Sequence, residues 1–213
     1  MKYRRALIAS VLAIPMLALC LLSYASGQPD ADLTILYTSS LNGNLDGCYC
    51  TENPRAGLVK RGAFLSRWDD RSEVLLLDAG DLLDVDPDPL LAEEIMGACT
   101  DMRYDMIAAG DQDFSNGPDA LLAARSKAPF FSHNMAICSR DKSSCVFFSM
   151  EPSLFIRGGI RCGVFSILDP AVLRYAGKEA EERALVEETT LAAGRMVELL
   201  GDGGELMDGA GDP

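Results

Sequence analysis

The sequence predicts an α/β fold in which a mostly parallel sheet is covered by helices. The first observation is the segment 74–81, VLLLDAGD, in which four apolar residues are ended by a small-residue turn and an acid. Such a run is typical of a strand buried on both faces. The second observation is a pattern of strand, loop and helix that occurs three times in order, which favours parallel strands joined by right-handed crossovers.

The first two thirds of the chain contain this pattern. Strands are predicted at residues 33–38, 74–78, 104–108 and 130–136, because these runs are rich in apolar, β-branched and aromatic residues. Helices are predicted at 57–68, 90–98 and 118–126 from the spacing of their apolar residues and from Pro118 at a helix start. Each of the first three strands runs into a turn-rich segment.

The later part of the chain has a different pattern. Short strands are predicted at 146–150, 154–157 and 160–168, and Gly158-Gly159 between the last two indicates a hairpin. A single charged helix is predicted at 178–200. Residues 201–213 are rich in glycine and acids, which is typical of a disordered tail. The predicted domain therefore covers residues 32–200.

The first 25 residues have the pattern of a secretory signal peptide. Lys2, Arg4 and Arg5 precede an apolar run that ends near small residues. An uncleaved membrane anchor and lipidation at Cys20 are the two alternatives. All three predict an exported protein, in the periplasm or outside the cell, where disulfides are stable.

The charge of the remaining chain limits its partners. Residues 1–25 hold three basic and no acidic residues, so the rest carries 16 Lys and Arg against 32 Asp and Glu. A net charge of −16 argues against nucleic acid and anionic membrane surfaces as partners. No stable membrane association is expected if the signal is cleaved.

Polar side chains follow the first three predicted strands. Ser40 and Asn42 follow the first, Asp81 follows the second, and Asp111 follows the third. The carboxyl ends of parallel strands meet at one edge of a sheet, where α/β proteins bind ligands. Oxygen atoms of these types are ligands for hard cations. An aspartate in a turn or at a helix N-cap is the alternative interpretation of Asp81.

These motifs resemble a known family. The chain resembles the secreted 5'-nucleotidase and UDP-sugar hydrolase family, whose N-terminal domain is a calcineurin-like metallophosphoesterase. The similar segments are 33–38, 57–63, 74–81, 95–114 and 160–170. The resemblance implies an αββα sandwich. The family domain continues past the equivalent of residue 200, so the sandwich is expected to be incomplete at its C-terminus, which would expose a sheet edge or an apolar patch.

The resemblance also implies a site in which two metal ions activate a water to attack phosphorus. The family motifs are Asp-x-His-Gly, Gly-Asp and Gly-Asn-His-Glu. Only the bridging acid of the second motif is kept, as Asp81. The other matching positions are Ser40 for Asp, Asn42 for His, Asp111 for Asn, Gln112 for the catalytic His and Asp113 for Glu.

The histidine content decides what such a site could be. The family site needs several imidazoles, and the chain has one histidine, His133, on the predicted fourth strand. A structural role is expected for His133, and Gln112 cannot carry a proton at neutral pH. The ordinary two-metal site is therefore not expected. What remains is a set of oxygen ligands on Ser40, Asn42, Asp81 and Asp111, with Asp113 as a further member. This set predicts either weak binding of Mg²⁺, Mn²⁺ or Ca²⁺ or a former metal site that no longer binds metal.

Cys48 and Cys50 are the other unusual feature. Their loop resembles that of a bacterial subgroup with a Cys-rich, sometimes selenocysteine-bearing, segment. Two thiols one residue apart can form a redox pair or a clip for a soft metal. The alternative is that each forms a structural disulfide elsewhere.

Four more cysteines lie in the predicted domain. Cys138 and Cys145 flank a polar six-residue loop and could form a local disulfide. Cys99 and Cys162 lie in apolar surroundings, which indicates buried thiols.

Three functions remain compatible with the sequence. The first is a catalytically silent metallophosphoesterase domain that binds a small phosphate ester or an unidentified protein partner. The second is an active metal-dependent hydrolase of nucleotides or phosphate esters with an altered oxygen-ligand site. The third is a thiol redox or soft-metal module that uses Cys48 and Cys50.

Overall fold

A computed structural model describes residues 32–47, 57–68 and 70–201. The predicted signal segment, the thiol pair Cys48 and Cys50, and the predicted tail beyond Gly201 lie outside the described residues.

The centre of the fold is a four-stranded parallel sheet. Its strands are β1 (Thr34–Thr38), β2 (Val74–Asp78), β3 (Met106–Ala108) and β4 (Phe130–Phe131), and they lie side by side in this order. In this register Thr38 lies opposite Asp78, and Asp78 lies opposite Ile107. The carboxyl ends of the first three strands therefore meet at one edge, as predicted.

Three helices connect these strands: α1 (Leu58–Leu65), α2 (Pro89–Asp101) and α3 (Pro118–Ala124). Helix α2 begins at Pro89, one residue before the predicted start, because the Asp88 carboxylate accepts hydrogen bonds from two backbone N–H groups of the first turn and a proline occupies the first position. All three helices contribute to one core with the sheet. Its members include Leu58, Leu65, Ile95, Cys99, Leu121, Leu76, Ile107 and Phe130. Each fully buried Leu or Ile stabilises the fold by about 1.5–3 kcal/mol.

The predicted fourth strand, 130–136, is two strands in two sheets. After β4 the chain turns, and β5 (Met135–Cys138) enters an antiparallel sheet. Asn134 stabilises the turn, because its amide nitrogen donates to the carbonyls of Leu168 (2.8 Å) and Glu187 (2.9 Å). His133 therefore lies in this turn, not on a strand as predicted. The apolar content of 130–136 could not predict this turn, because the residues that stabilise it lie more than 30 positions away in the sequence.

The prediction of one helix over 178–200 is wrong. The segment forms α4 (Lys178–Arg183), strand β9 (Ala184–Val186) and α5 (Thr189–Gly201). Strand β9 pairs with β5, and β6 (Cys145–Phe147) pairs with the other edge of β5. Hydrogen bonding to β5 outweighs the helical preference of Ala184 and Leu185, and the carboxylate of Glu188 accepts from Leu191 N at 2.9 Å where α5 begins.

Strands β7 (Ser153–Arg157) and β8 (Ile160–Val164) form the predicted hairpin around Gly158 and Gly159, both of which have positive φ. The predicted strand 160–168 is too long. Its last residues leave the hairpin and bond to the turn after β4, where His133 N donates to the Ser166 carbonyl at 2.9 Å.

Strand β1 is an edge of the parallel sheet and has an exposed apolar face. Ile35 is 53% exposed and Tyr37 is 80% exposed. No other strand within the described ranges pairs with the outer edge of β1.

A disulfide joins Cys138 to Cys145 across β5 and β6, where the two residues are direct partners in the antiparallel pair. The structure thus contains the local disulfide that the sequence suggested. Cys99 is a buried thiol and Cys162 is a half-buried one.

The double substitution Cys138→Ala and Cys145→Ala is expected to lower the free energy of unfolding by about 2–3 kcal/mol, because the short closed loop loses its constraint in the unfolded chain. Urea unfolding under non-reducing conditions measures this change. Cys162→Ala is the control and should have a smaller effect. An unchanged midpoint in the double variant would contradict the prediction.

Candidate metal centre

The loops after β1 and β2 lie side by side at the carboxyl edge of the sheet. Ser40 N donates to the Gly80 carbonyl, and Asn42 N donates to the Asp81 carbonyl, both at 2.9 Å. These main-chain bonds continue the contact between β1 and β2 beyond the end of the sheet. They bring together the first two loops that the sequence predicted to meet.

Three of the predicted site residues have left-handed backbone conformations. Ser40 has φ 49°, Asn42 has φ 52° and Asp81 has φ 58°. None of them is glycine, so each conformation costs about 1–3 kcal/mol. Backbone strain of this kind is stored where surrounding contacts hold the chain, and it clusters at ligand sites.

The third loop packs closely against Asp81. Gln112 N donates to Asp81 Oδ1 at 3.3 Å. A Cβ atom on Gly110 would lie 2.1 Å from the same oxygen, so the approach of the Asp81 carboxylate requires glycine at position 110. The structure thus brings Asp81 and the segment 110–112 together.

Asp113 lies beneath these loops and is 1% exposed. Its carboxylate accepts four backbone hydrogen bonds, one from the third loop and three from the second. The donors are Gly110 N (2.8 Å), Asp81 N (3.1 Å), Leu82 N (2.9 Å) and Leu83 N (3.3 Å). Burial raises the pKa of Asp113 to about 7, and the backbone donors oppose this rise. Both oxygens are engaged, so Asp113 acts as a brace for the loops and not as a further ligand.

Other polar side chains of the three loops include Asp111, Asn42, Gln112 and Ser40. Burial and the nearby charge of Asp81 both raise the pKa of Asp111. Asn42 Oδ1 and Gln112 Oε1 are buried and have no hydrogen-bond partner. Ser40 lies at the exposed rim. Buried oxygens without a donor are unusual, and a cation is one group that would satisfy them.

The residues present do not fit the two-metal site that the sequence resemblance implies. Across the described ranges, no three His, Cys, Asp or Glu side chains converge to hold a metal ion. A single hard cation fits the donor chemistry better, because Asp81 and Asp111 provide carboxylates and Asn42 and Gln112 provide amide oxygens.

His133 does not join these loops. Its Nδ1 accepts a hydrogen bond from Ser166 N at 3.0 Å, and its ring stacks on Phe131 with centroids 6.1 Å apart. The side chain is 1% exposed, and burial lowers its pKa despite opposing backbone groups. These contacts agree with the structural role expected for it.

Two charged residues next to the site, Arg61 and Asp78, were not predicted from the sequence. They form an ion pair with Nη1 to Oδ2 at 2.9 Å. The sequence did indicate that Asp78 is paired, because an acid at the last position of a fully apolar run needs a hydrogen-bond or ion-pair partner when the strand is buried. Nothing local indicated that Arg61 of α1 would be that partner.

No protein-family model and no curated protein matches the chain. Solved structures do match it. They include the calcineurin-like phosphoesterase YfkN from Bacillus subtilis, with a TM-score of 0.58 and 18% identity over 80% of this chain and 59% of that one. A 5'-nucleotidase precursor from Thermus thermophilus matches with a TM-score of 0.63 and 23% identity over 80% of this chain and 35% of that one. The chain has the calcineurin-like phosphoesterase fold.

The phosphoesterase fold does not identify a substrate. The sulfate thiohydrolase SoxB from Thermus thermophilus also matches, with a TM-score of 0.66 and 15% identity over 82% of this chain and 42% of that one. Proteins named for different reactions thus share the architecture, and function has to be argued from the site. The chain spans between about a third and three fifths of the length of these three structures.

Asp113→Asn is expected to lower the free energy of unfolding by about 2 kcal/mol or more, because an amide nitrogen cannot accept the backbone N–H groups that now bond to one carboxylate oxygen. Thermal or urea unfolding measures the loss. Asp111→Asn, on the adjoining and more exposed turn, is the matched control and should cost less. Equal stability of the two variants would show that Asp113 is not the brace described above.

The imidazole of His133 is expected to titrate at a lower pH in the folded protein than a free imidazole, which is half protonated near pH 6.5, because burial lowers its pKa. Because its folded pKa is lowered, His133 contributes stability above about pH 6.5 that is lost as the pH falls below that value. The chain has one histidine, so its Hε1 NMR signal can be titrated without assignment. The urea-unfolded chain is the control and should titrate near 6.5. A folded midpoint at or above that of the unfolded chain would refute the prediction.

Proposed function

We propose that this chain is a calcineurin-like phosphoesterase domain that binds one hard divalent cation weakly and lacks the ordinary two-metal hydrolysis of phosphate esters. The observation that supports the proposal is the pair of buried amide oxygens without partners, Asn42 Oδ1 and Gln112 Oε1, on the adjoining loops that also carry Asp81 and Asp111. Mg²⁺, Mn²⁺ and Ca²⁺ take oxygen ligands of these kinds.

Each residue has a separate role in the proposed site. Asp81 and Asp111 provide negative charge. The two carboxylates repel each other, and a bound cation would offset this repulsion. Asn42 and Gln112 provide neutral oxygens that set the size of the site. A bound cation would supply positive charge for an oxygen of a phosphate ester.

The same residues argue against turnover. Gln112 takes the place of the family's catalytic histidine, and an amide does not donate a proton to a leaving group as an imidazolium does. The chain's one imidazole, on His133, is engaged with Ser166 and Phe131. The domain is therefore proposed to bind a small phosphate ester without hydrolysing it.

We also propose that the domain works outside the cytoplasm. The N-terminal pattern of residues 1–25 supports export, and the disulfide between Cys138 and Cys145 suits an oxidising compartment. Within the described ranges, every helix is too short or too polar to cross a bilayer.

Titration calorimetry of the purified chain with Mg²⁺, Ca²⁺ or Mn²⁺ is expected to show one site with a dissociation constant of about 10⁻⁴–10⁻³ M, as in weak oxygen-ligand sites. Asp81→Asn should weaken binding by about tenfold or more, because the carboxylate that accepts from Gln112 N loses its charge. Asp86→Asn removes the same charge from an exposed position of the following loop and is the matched control.

An assay with a nucleoside monophosphate and added Mn²⁺ completes this test. No turnover above that of Asp81→Asn is expected. Turnover that Asp81→Asn abolishes would favour an active hydrolase with an altered site. Binding of a soft metal that is lost in Cys48→Ser would instead favour the thiol module.

A further inference from the structure

A buried ion pair lies directly beneath the candidate metal centre. Arg61 of α1 donates from Nη1 to Oδ2 of Asp78, the last residue of β2, at 2.9 Å. The side chains are 9% and 0% exposed. Removing two charges from water costs several kcal/mol per ion, so such a pair is poor evidence for stability by itself. A role in fixing the positions of the neighbouring loops explains the burial of this pair better than a contribution to stability.

The pair contacts both strand-end loops at matching positions. Arg61 Nη2 donates to the Ser39 carbonyl at 3.3 Å, and Gly80 N donates to Asp78 Oδ1 at 2.8 Å. Ser39 and Gly80 each immediately precede a left-handed residue of the site, Ser40 and Asp81 respectively. The ion pair thus holds the chain one residue before each strained position.

Neighbouring side chains complete the network. Thr38 Oγ1 donates to Asp78 Oδ2 and lies 2.9 Å from the Tyr104 hydroxyl, which in turn accepts from Arg61 Nη1 at 3.4 Å. Burial raises the pKa of Tyr104. Each of these four side chains is bonded to two of the others, and a polar network satisfied in this way is rigid and specifies a single arrangement.

We propose that Arg61 and Asp78 are positioning residues, which hold the loops after β1 and β2 in the left-handed conformations that form the cation site. The effect on cation binding rests on the proposed function, whereas the effect on the loops does not. Arginine is required, because a lysine has one nitrogen and cannot reach Asp78 and the Ser39 carbonyl as a planar fork does.

A second Arg–Asp pair provides a matched control at the opposite end of β2. Arg157 pairs with Asp105, and Arg157 Nε donates to the Val74 carbonyl at 2.8 Å. Asp105 also accepts from Leu76 N at 2.8 Å. This second pair is also an arginine and an aspartate and also contacts β2. It lies far from the candidate metal centre along the strand, because Val74 is the first residue of β2 and Asp78 is its last.

Hydrogen exchange followed by mass spectrometry tests the loop effect without any metal. In Arg61→Gln, exchange in peptides covering 39–47 and 79–86 is expected to rise by about tenfold relative to the rest of the chain. In Arg157→Gln, these peptides should change no more than the rest. Asp78→Asn and Arg61→Lys are second variants if Arg61→Gln does not fold, and both should show the same localised rise. Equal loop exchange in the Arg61 and Arg157 variants, after correction for overall stability, would overturn the proposal.

Calorimetry with Ca²⁺ separates this proposal from the proposed function. Arg61→Gln and Arg61→Lys should bind Ca²⁺ about tenfold more weakly than the unaltered chain, which is the usual effect of removing a group that supports metal ligands. Arg157→Gln should bind as the unaltered chain does. If the unaltered chain binds no Ca²⁺, Mg²⁺ or Mn²⁺, the proposed function fails while the exchange experiment still decides the positioning role. Loss of loop protection with unchanged Ca²⁺ affinity would overturn the link between the ion pair and the site.

Discussion

The carboxylate of Asp113 is the interaction on which the edge of the sheet depends. Two loops meet where β2 and β3 end, and their backbone N–H groups have no strand to pair with. Four of these groups converge on the two oxygens of one buried side chain. An unpaired buried N–H group costs about 1–3 kcal/mol, so without Asp113 the loops could not stay packed at this edge.

The site combines this brace with backbone strain. Asp113 accepts hydrogen bonds from the loops after β2 and β3, while Arg61 and Asp78 hold the residues that precede Ser40 and Asp81. Left-handed conformations at non-glycine positions persist because several independent contacts determine them. The side chains of these loops offer oxygen atoms and no imidazole. Such a set suits a hard cation better than proton transfer to a leaving group.

Sequence patterns predicted the parts of the fold in which local and tertiary preferences agree. The apolar run 74–77 and the hairpin at Gly158-Gly159 are examples, since burial and turn formation are visible in the residues themselves. They did not predict the division of 130–136 or of 178–200. There Asn134 bonds to Leu168 and Glu187, and β9 pairs with β5. These partners are distant in sequence, so their contribution is absent from any local pattern.

By itself, the sequence determined that the chain is an α/β protein and that Ser40, Asn42, Asp81 and Asp111 follow strands that end at one edge. Its single histidine also indicated that the edge offers oxygen atoms in place of the imidazoles of the family motifs. Only the tertiary structure decided that Asp113 is a brace, that Asn42 and Gln112 carry buried oxygens without partners, and that Arg61 reaches Asp78. The reason is physical: residue types limit the available chemistry, whereas burial and hydrogen bonding depend on neighbours that only the folded chain brings together.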